Sequence, residues 1–191
     1  MALLKQRQRM LVPDLLDSLS VLVTEPGSGC AVVDKPVLVR RARLTLTSAV
    51  LSVTAALDYG SLKVVDLQDR NLLLLAVEAD LTLTKQNNTN GILDATDLDV
   101  GMGTAPASAV TLATTMIDIL EKMDVDADTN TVAVQRHSND QATAVFPKKL
   151  ADSSTQALYL NVGVPGLITA DSSVTVNGTI DIFYIDLGKK V

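Results

Sequence analysis

Few side chains in this 191-residue chain are equipped for chemistry: one histidine (His137), one cysteine (Cys30) and three glutamates (Glu25, Glu78, Glu121). General acid–base and nucleophilic catalysis need such groups gathered in one place. The nearest approach is the run His137-Ser138-Asn139-Asp140. A serine–histidine–aspartate triad is assembled by folding, and sequence neighbours seldom aim at one another, so this run reads as a turn. Asp124-Val125-Asp126-Ala127-Asp128 spaces its carboxylates like the opening of a calcium loop. Thr129 stands where that loop needs glycine, and Gln135 where it needs the bidentate glutamate. An acidic turn is the first reading, and bound Ca²⁺ the alternative. Gly101-Met102-Gly103 lacks both the dinucleotide fingerprint and the Gly-Lys-Ser/Thr of a phosphate loop. Asp152-Ser153-Ser154 and Asp171-Ser172-Ser173 each follow an alanine and read as turn chemistry. No catalytic residue, cofactor or metal is assigned.

What surrounds these residues is strand-like. Hydrophobic residues make up 47% of the chain and aromatics only 3%, so small and branched aliphatics must fill the core, as suits packed sheets. The mean hydropathy of +0.27 is high for a chain exposed on all sides; it predicts apolar surface covered by copies or by a partner. The longest apolar run, 72–77, falls far short of the roughly 20 residues a membrane helix requires. The basic start is followed by a stretch broken by Pro13, Asp14 and Asp17, which predicts no secretory leader. A lone cysteine forms no internal disulfide, in keeping with synthesis in a reducing cytoplasm.

Alternation of Leu/Val/Ile with Thr/Ser/Asp predicts strands over residues 37–47, 50–56, 62–67, 72–84, 131–136, 142–146, 156–162 and 173–187. Asn177-Gly178 is a strong hairpin dipeptide, yet Val174, Val176, Ile180, Ile182 and Tyr184 keep one parity through it. A two-residue turn there would set Asp181 on the apolar face, so one long strand kinked at Gly178 is expected. Residues 101–108 read as a small-residue loop. Leu112, Met116, Ile119, Leu120 and Met123 then recur at helical spacing, predicting one amphipathic helix over 108–122. The expected fold is mainly β: an antiparallel two-sheet sandwich, jelly-roll-like, with that helix and an extended N-terminal arm. Residues 1–35 form the arm and 36–191 the sandwich domain.

Charge is segregated. Residues 1–43 hold seven basic and four acidic residues, a net of +3; the rest hold nine and eighteen, a net of −9. An acidic body argues against nucleic acid as a direct main ligand. Lys5, Arg7 and Arg9 point one way if the arm is extended, and Arg40, Arg41 and Arg43 are the densest basic cluster. In a strand, Arg41 and Arg43 share a face opposite Arg40. These six residues are the candidate partner-binding set, the cluster offering bidentate pairing to an acidic partner.

Two strings carry a resemblance: Gln-Ala-Leu-Tyr-Leu-Asn-Val over 156–162, and Ser-Val-Thr-Val-Asn-Gly-Thr-Ile-Asp-Ile-Phe-Tyr-Ile-Asp-Leu-Gly over 173–188. In a Thr/Ala/Val-rich β-body, they resemble the decoration (cement) proteins of tailed-bacteriophage heads. The resemblance covers about residues 36–188 and leaves the basic arm unexplained. It implies a sandwich or jelly-roll subunit, commonly a trimer, outside the shell at threefold or quasi-threefold positions. There it bridges major capsid proteins against the pressure of packaged DNA, without catalysis, cofactor or membrane. The implied location is the outer capsid surface of a virion. Alternatives are another phage structural component (minor capsid, head-fibre or tail protein) and then a carbohydrate-binding sandwich. The latter would need exposed aromatics from a set of Tyr59, Tyr159, Tyr184, Phe146 and Phe183.

Overall fold

The computed structural model describes residues 38–66, 70–93, 96–125, 130–138, 146–150 and 157–189. Nine strands appear among them: β1 (Val39–Val53), β2 (Tyr59–Asp66), β3 (Arg70–Lys85), β4 (Leu98–Gly103), β5 (Leu120–Val125), β6 (Thr131–His137), β7 (Lys148–Lys149), β8 (Ala157–Gly163) and β9 (Ser172–Lys189). One sheet runs β1-β9-β3-β6, with the short β7 also on β3; the other runs β2-β8-β4-β5.

The pairings nest. β1 lies beside β9, β2 pairs β8, β3 pairs β6 and β4 pairs β5. That is one long antiparallel hairpin rolled on itself, the further pairings β3·β9 and β4·β8 closing the two sheets. The strand order is that of a jelly roll. The first four strands alternate between the sheets, β4 and β5 pair within one sheet, and the inward apolar faces of both sheets form one core between the layers. Leu74, Leu81, Met102, Leu158, Val176 and Ile180 are among its buried members.

β9 is a single strand of 18 residues, as its parity requires. Val174, Val176, Ile180 and Ile182 are buried along one face. Gly178 has φ +125°, and a Cβ there would stand 2.2 Å from the Asp80 carbonyl oxygen. The glycine lets β3 and β9 approach where any side chain would hold them apart. A related break explains why 37–47 and 50–56 read as two strands. Ser48 has φ 49°, and its N–H donates to Asn177 Oδ1 at 2.7 Å. The inward parity then shifts from Ala42, Leu44 and Leu46 to Leu51 and Val53, inside one 15-residue strand.

The expected helix over 108–122 is not formed. A 3₁₀ turn spans Thr114–Met116 and β5 begins at Leu120. The apolar positions nevertheless behave as their spacing demands: Leu112, Met116, Ile119 and Leu120 are buried. Thr111, Thr114, Thr115, Val110, Ile117 and Ile119 are poor helix formers because β-branching restricts χ1. Strand pairing of 120–125 with β4 supplies the backbone hydrogen bonds that a helix would have made internally. β4 itself falls partly where a loop was expected, because Gly101 and Gly103 read as turn residues. The strand expected over 142–146 lies outside the described residues except for Phe146.

Candidate functional site

His137 ends β6 and stands opposite Glu78 of β3 in the register. The Ser138 hydroxyl is buried and accepts the Val77 N–H at 2.9 Å, which is a structural task. Asp140, Cys30, Asp126, Asp128 and the Asp152-Ser153-Ser154 run lie outside the described residues, as do Lys5, Arg7 and Arg9. Asp171 and Ser172 do not close a turn as expected: Ser172 and Ser173 open β9, and the two side chains tie distant segments, Asp171 Oδ1 accepting the Ala55 N–H and Ser172 Oγ the Ile92 N–H. Among the described residues no three His, Cys, Asp or Glu gather as metal ligands. No helix among them is long and apolar enough to cross a membrane.

Gly101 and Gly103 stand in β4, where space rather than ligand binding accounts for them. A Cβ on Gly103 would lie 2.1 Å from the Thr115 carbonyl oxygen. The β4–β5 connection, 104–119, folds back across the outer face of its own sheet and needs that clearance. Asn161 of β8 fastens it. Its Oδ1 accepts Ser61 Oγ–H at 2.6 Å and the Ala107 N–H at 3.0 Å, while Nδ2 donates to the carbonyls of Ala105 and Met116. Asp118 holds the same segment by accepting from the Thr104 N–H and hydroxyl and from Lys148 Nζ.

The basic cluster is brought together as its parity predicts. Arg41 and Arg43 both grip Asp181 of β9: Nε to Oδ1 at 3.0 and 2.9 Å, Nη2 to Oδ2 at 2.6 and 2.7 Å. Asp181 is 6% exposed, yet each arginine side chain is about half exposed. Hydrogen bonds from Arg43 and Arg41 hold the Asp181 carboxyl well below the usual carboxylate range, against the opposing effect of burial. The Arg41 guanidinium also lies 5.7 Å from the centre of the Phe183 ring. Arg40 is exposed on the same strand face as Ala42, Leu44 and Leu46.

A second cluster sits on the other sheet. Lys122 Nζ lies 3.1 Å from each oxygen of Asp99 and 2.8 Å from Asp124 Oδ1. Burial, reinforced by Asp124, pushes the Asp99 carboxyl up; Lys122 pulls exposed Asp124 down. The lysine itself is raised by Asp124 and Asp99.

Sequence reading missed Asp181 and Asn161 as site residues; Asp99, with Asp94 and Asp97, reads from the sequence as an acidic loop, but it stands in β4. The signal for Asp181 was present, since a lone acid between Ile180 and Ile182 faces the parity on which Arg41 and Arg43 stand. Nothing local marks Asn161, whose partners lie 45 to 100 residues away.

Three connections interlock at one end of the roll. The Asn90 carbonyl accepts the N–H groups of Thr169 and Ala170, and the N–H groups of Val164 and Ile168 reach the backbone and side chain of Asp58. On these fastened loops Leu57 is 47%, Leu93 41% and Leu167 89% exposed.

No family model matches the chain, and no curated protein does. Among solved structures, one of Mud crab tombus-like virus is 13% identical, covering 91% of this chain and 100% of that one at a TM-score of 0.37. One of turnip yellow mosaic virus is 15% identical over 88% and 92% at 0.35. A Cyanophage Pam1 capsid asymmetric unit is 14% identical over 85% and 93% at 0.28. The strand order, not a likeness of that size, defines the fold here.

Proposed function

We propose that this chain is a structural, non-catalytic virion protein. The observation that carries the reading is where its apolar residues lie. Jelly rolls serve as capsid and lectin domains and as ligand-holding cups, and a cup keeps its interior open. Here the space between the sheets is packed with leucine, isoleucine, valine and methionine. Uncovered leucines stand instead on the outside, at Leu38, Leu57, Leu93, Leu167 and Leu187. A closed interior with apolar exterior points suits a block that neighbours cover.

Within that class we read the chain as a decoration protein on the outer capsid surface, trimeric, bridging major capsid proteins. The acidic body would face solvent while Lys5, Arg7, Arg9 and Arg40 contact acidic neighbours; many weak attachments then add up across the particle. One observation favours a second reading, in which the chain is itself a shell subunit: the basic leader on an acidic body would suit a shell with polyanion inside. Light scattering and negative-stain microscopy of the purified protein separate the two. Trimers that bind preformed capsids support decoration, closed shells support the second reading, and a monomer without affinity for capsids overturns both.

A further inference from the structure

Among the described residues, the two edge strands β1 and β2 leave one flank of the roll without a covering strand. They meet at the corner that joins them, where Gly60 lies against the Ser52 carbonyl and Leu51 and Val53 are fully buried. Away from that corner burial fails on both strands. Ala42, Leu44 and Leu46 of β1, with Leu62, Val64 and Val65 of β2, pack on the core but remain partly exposed. β5 and β6 approach one another across the opposite flank. β1 is also the longer edge of its sheet, 15 residues with β9 on one side and no strand on the other among the described residues. An edge of that length offers unpaired N–H and C=O groups to an incoming strand.

We propose that this edge accepts an extended segment of a partner protein, added alongside β1, whose residues alternate aliphatic and acidic. The aliphatic positions would cover Leu44 and Leu46 over the open seam, completing the core. The acidic positions would fall on the other face beside Arg41 and Arg43. Two guanidiniums there share the single carboxylate of Asp181, and each remains about half exposed. β9 shows the chemistry that suits β1, since Ile180, Asp181 and Ile182 present it with core, carboxylate and core. A second copy of β1 does not, because that strand carries three arginines and no acid and like charges oppose pairing. Recognition is by backbone pairing plus alternate side chains, the mode of strand addition.

The partner's identity as a capsid subunit rests on the proposed function, but the acceptor edge does not, so a peptide tests it separately. The full chain is titrated with a short blocked peptide alternating valine and glutamate, and with its valine–lysine counterpart. Amide hydrogen exchange is followed along residues 38–53. The proposal expects saturable binding of the glutamate peptide below about 1 mM, new protection confined to β1, and at least about tenfold weaker binding of the lysine peptide. Thr45→Glu, at an exposed outward position, should weaken the glutamate peptide about fivefold and spare the lysine peptide. Leu44→Asn should weaken both; should it unfold the chain, Thr45→Glu decides. Equal binding of the two peptides, protection on β5 or β6 instead, or no binding overturns the proposal. So does a β1 edge already protected in the free chain: concentration-dependent protection would assign it to a second copy, concentration-independent protection to residues 1–37. Failure here with capsid binding intact removes the edge and leaves the virion reading standing.

Discussion

Asp181 sits between Ile180 and Ile182 on a strand whose other face is core, and a buried carboxylate there is tolerable only because two guanidiniums surround it. Removing one member of such a group strands the charge of the others. Asp181→Asn should lower stability at neutral pH by about 1–2 kcal/mol, since the arginines are half solvated and their share is small. The sign of its pH dependence follows from the depressed carboxyl. Its contribution is complete above the unfolded value of about 4 and is lost as pH falls below it toward the folded value. Thermal melts of wild type and Asp181→Asn should therefore converge from pH 4 downward; parallel curves would refute the pairing. Asp99 works in the opposite sense. Burial raises its carboxyl, so the ionised form opposes folding at neutral pH, and the penalty is relieved as pH falls through the raised value. Lys122→Met should enlarge that penalty by about 1 kcal/mol, and mild acid should recover it. Loss of stability unchanged at pH 4 would count against this account.

At the level of elements, β9 is held to one register by Gly178. Gly178→Ala adds a positive-φ side chain against the Asp80 carbonyl, and the β3·β9 ladder must open to admit it. The expected cost is about 2–3 kcal/mol, measurable by urea unfolding with an unchanged m-value. The segment 104–119 depends on Asn161 rather than on helical hydrogen bonds of its own. Asn161→Ala leaves the Ala105 and Met116 carbonyls without that donor and should cost about 2–4 kcal/mol. Amide exchange should rise within 104–119 while β3 and β9 keep their protection; a uniform rise would mean the loop and sheets unfold together. These elements also show what the sequence displayed. The even parity from Val174 to Tyr184 sufficed to choose a single strand over a hairpin. The three- and four-residue spacing correctly marked Leu112, Met116, Ile119 and Leu120 as buried, with Met123 only partly so, but burial does not prescribe the backbone that achieves it.

At the scale of the whole molecule, the proposed virion role rests on the exposed leucines. Leu167, Leu57 and Leu93 ride on loops that hydrogen bonds already hold in place, so covering them costs little further ordering. Leu57→Ser with Leu167→Ser should leave the thermal melt within about 0.5 kcal/mol of wild type. If the virion reading is right, the pair should reduce assembly or capsid binding, seen in light scattering and co-sedimentation. Undiminished assembly would place the contacts elsewhere, with the β1–β2 flank next in line. The candidate surfaces were only partly legible beforehand. Arg41 and Arg43 stood out as a charged pair on one face, but their carboxylate lies about 140 residues away.

Side-chain alternation and composition determined that most of the chain is β, which face of each expected strand points inward, and that His, Cys and Glu are few. Those properties follow from a two-residue period and from composition, both local. Tertiary structure decided the rest: which strands neighbour one another, that residues 108–122 take loop and strand rather than helix, and that no strand among the described residues covers the β1–β2 flank. Each depends on pairings between distant segments, where hydrogen bonds and core contacts outweigh the preferences of any short stretch.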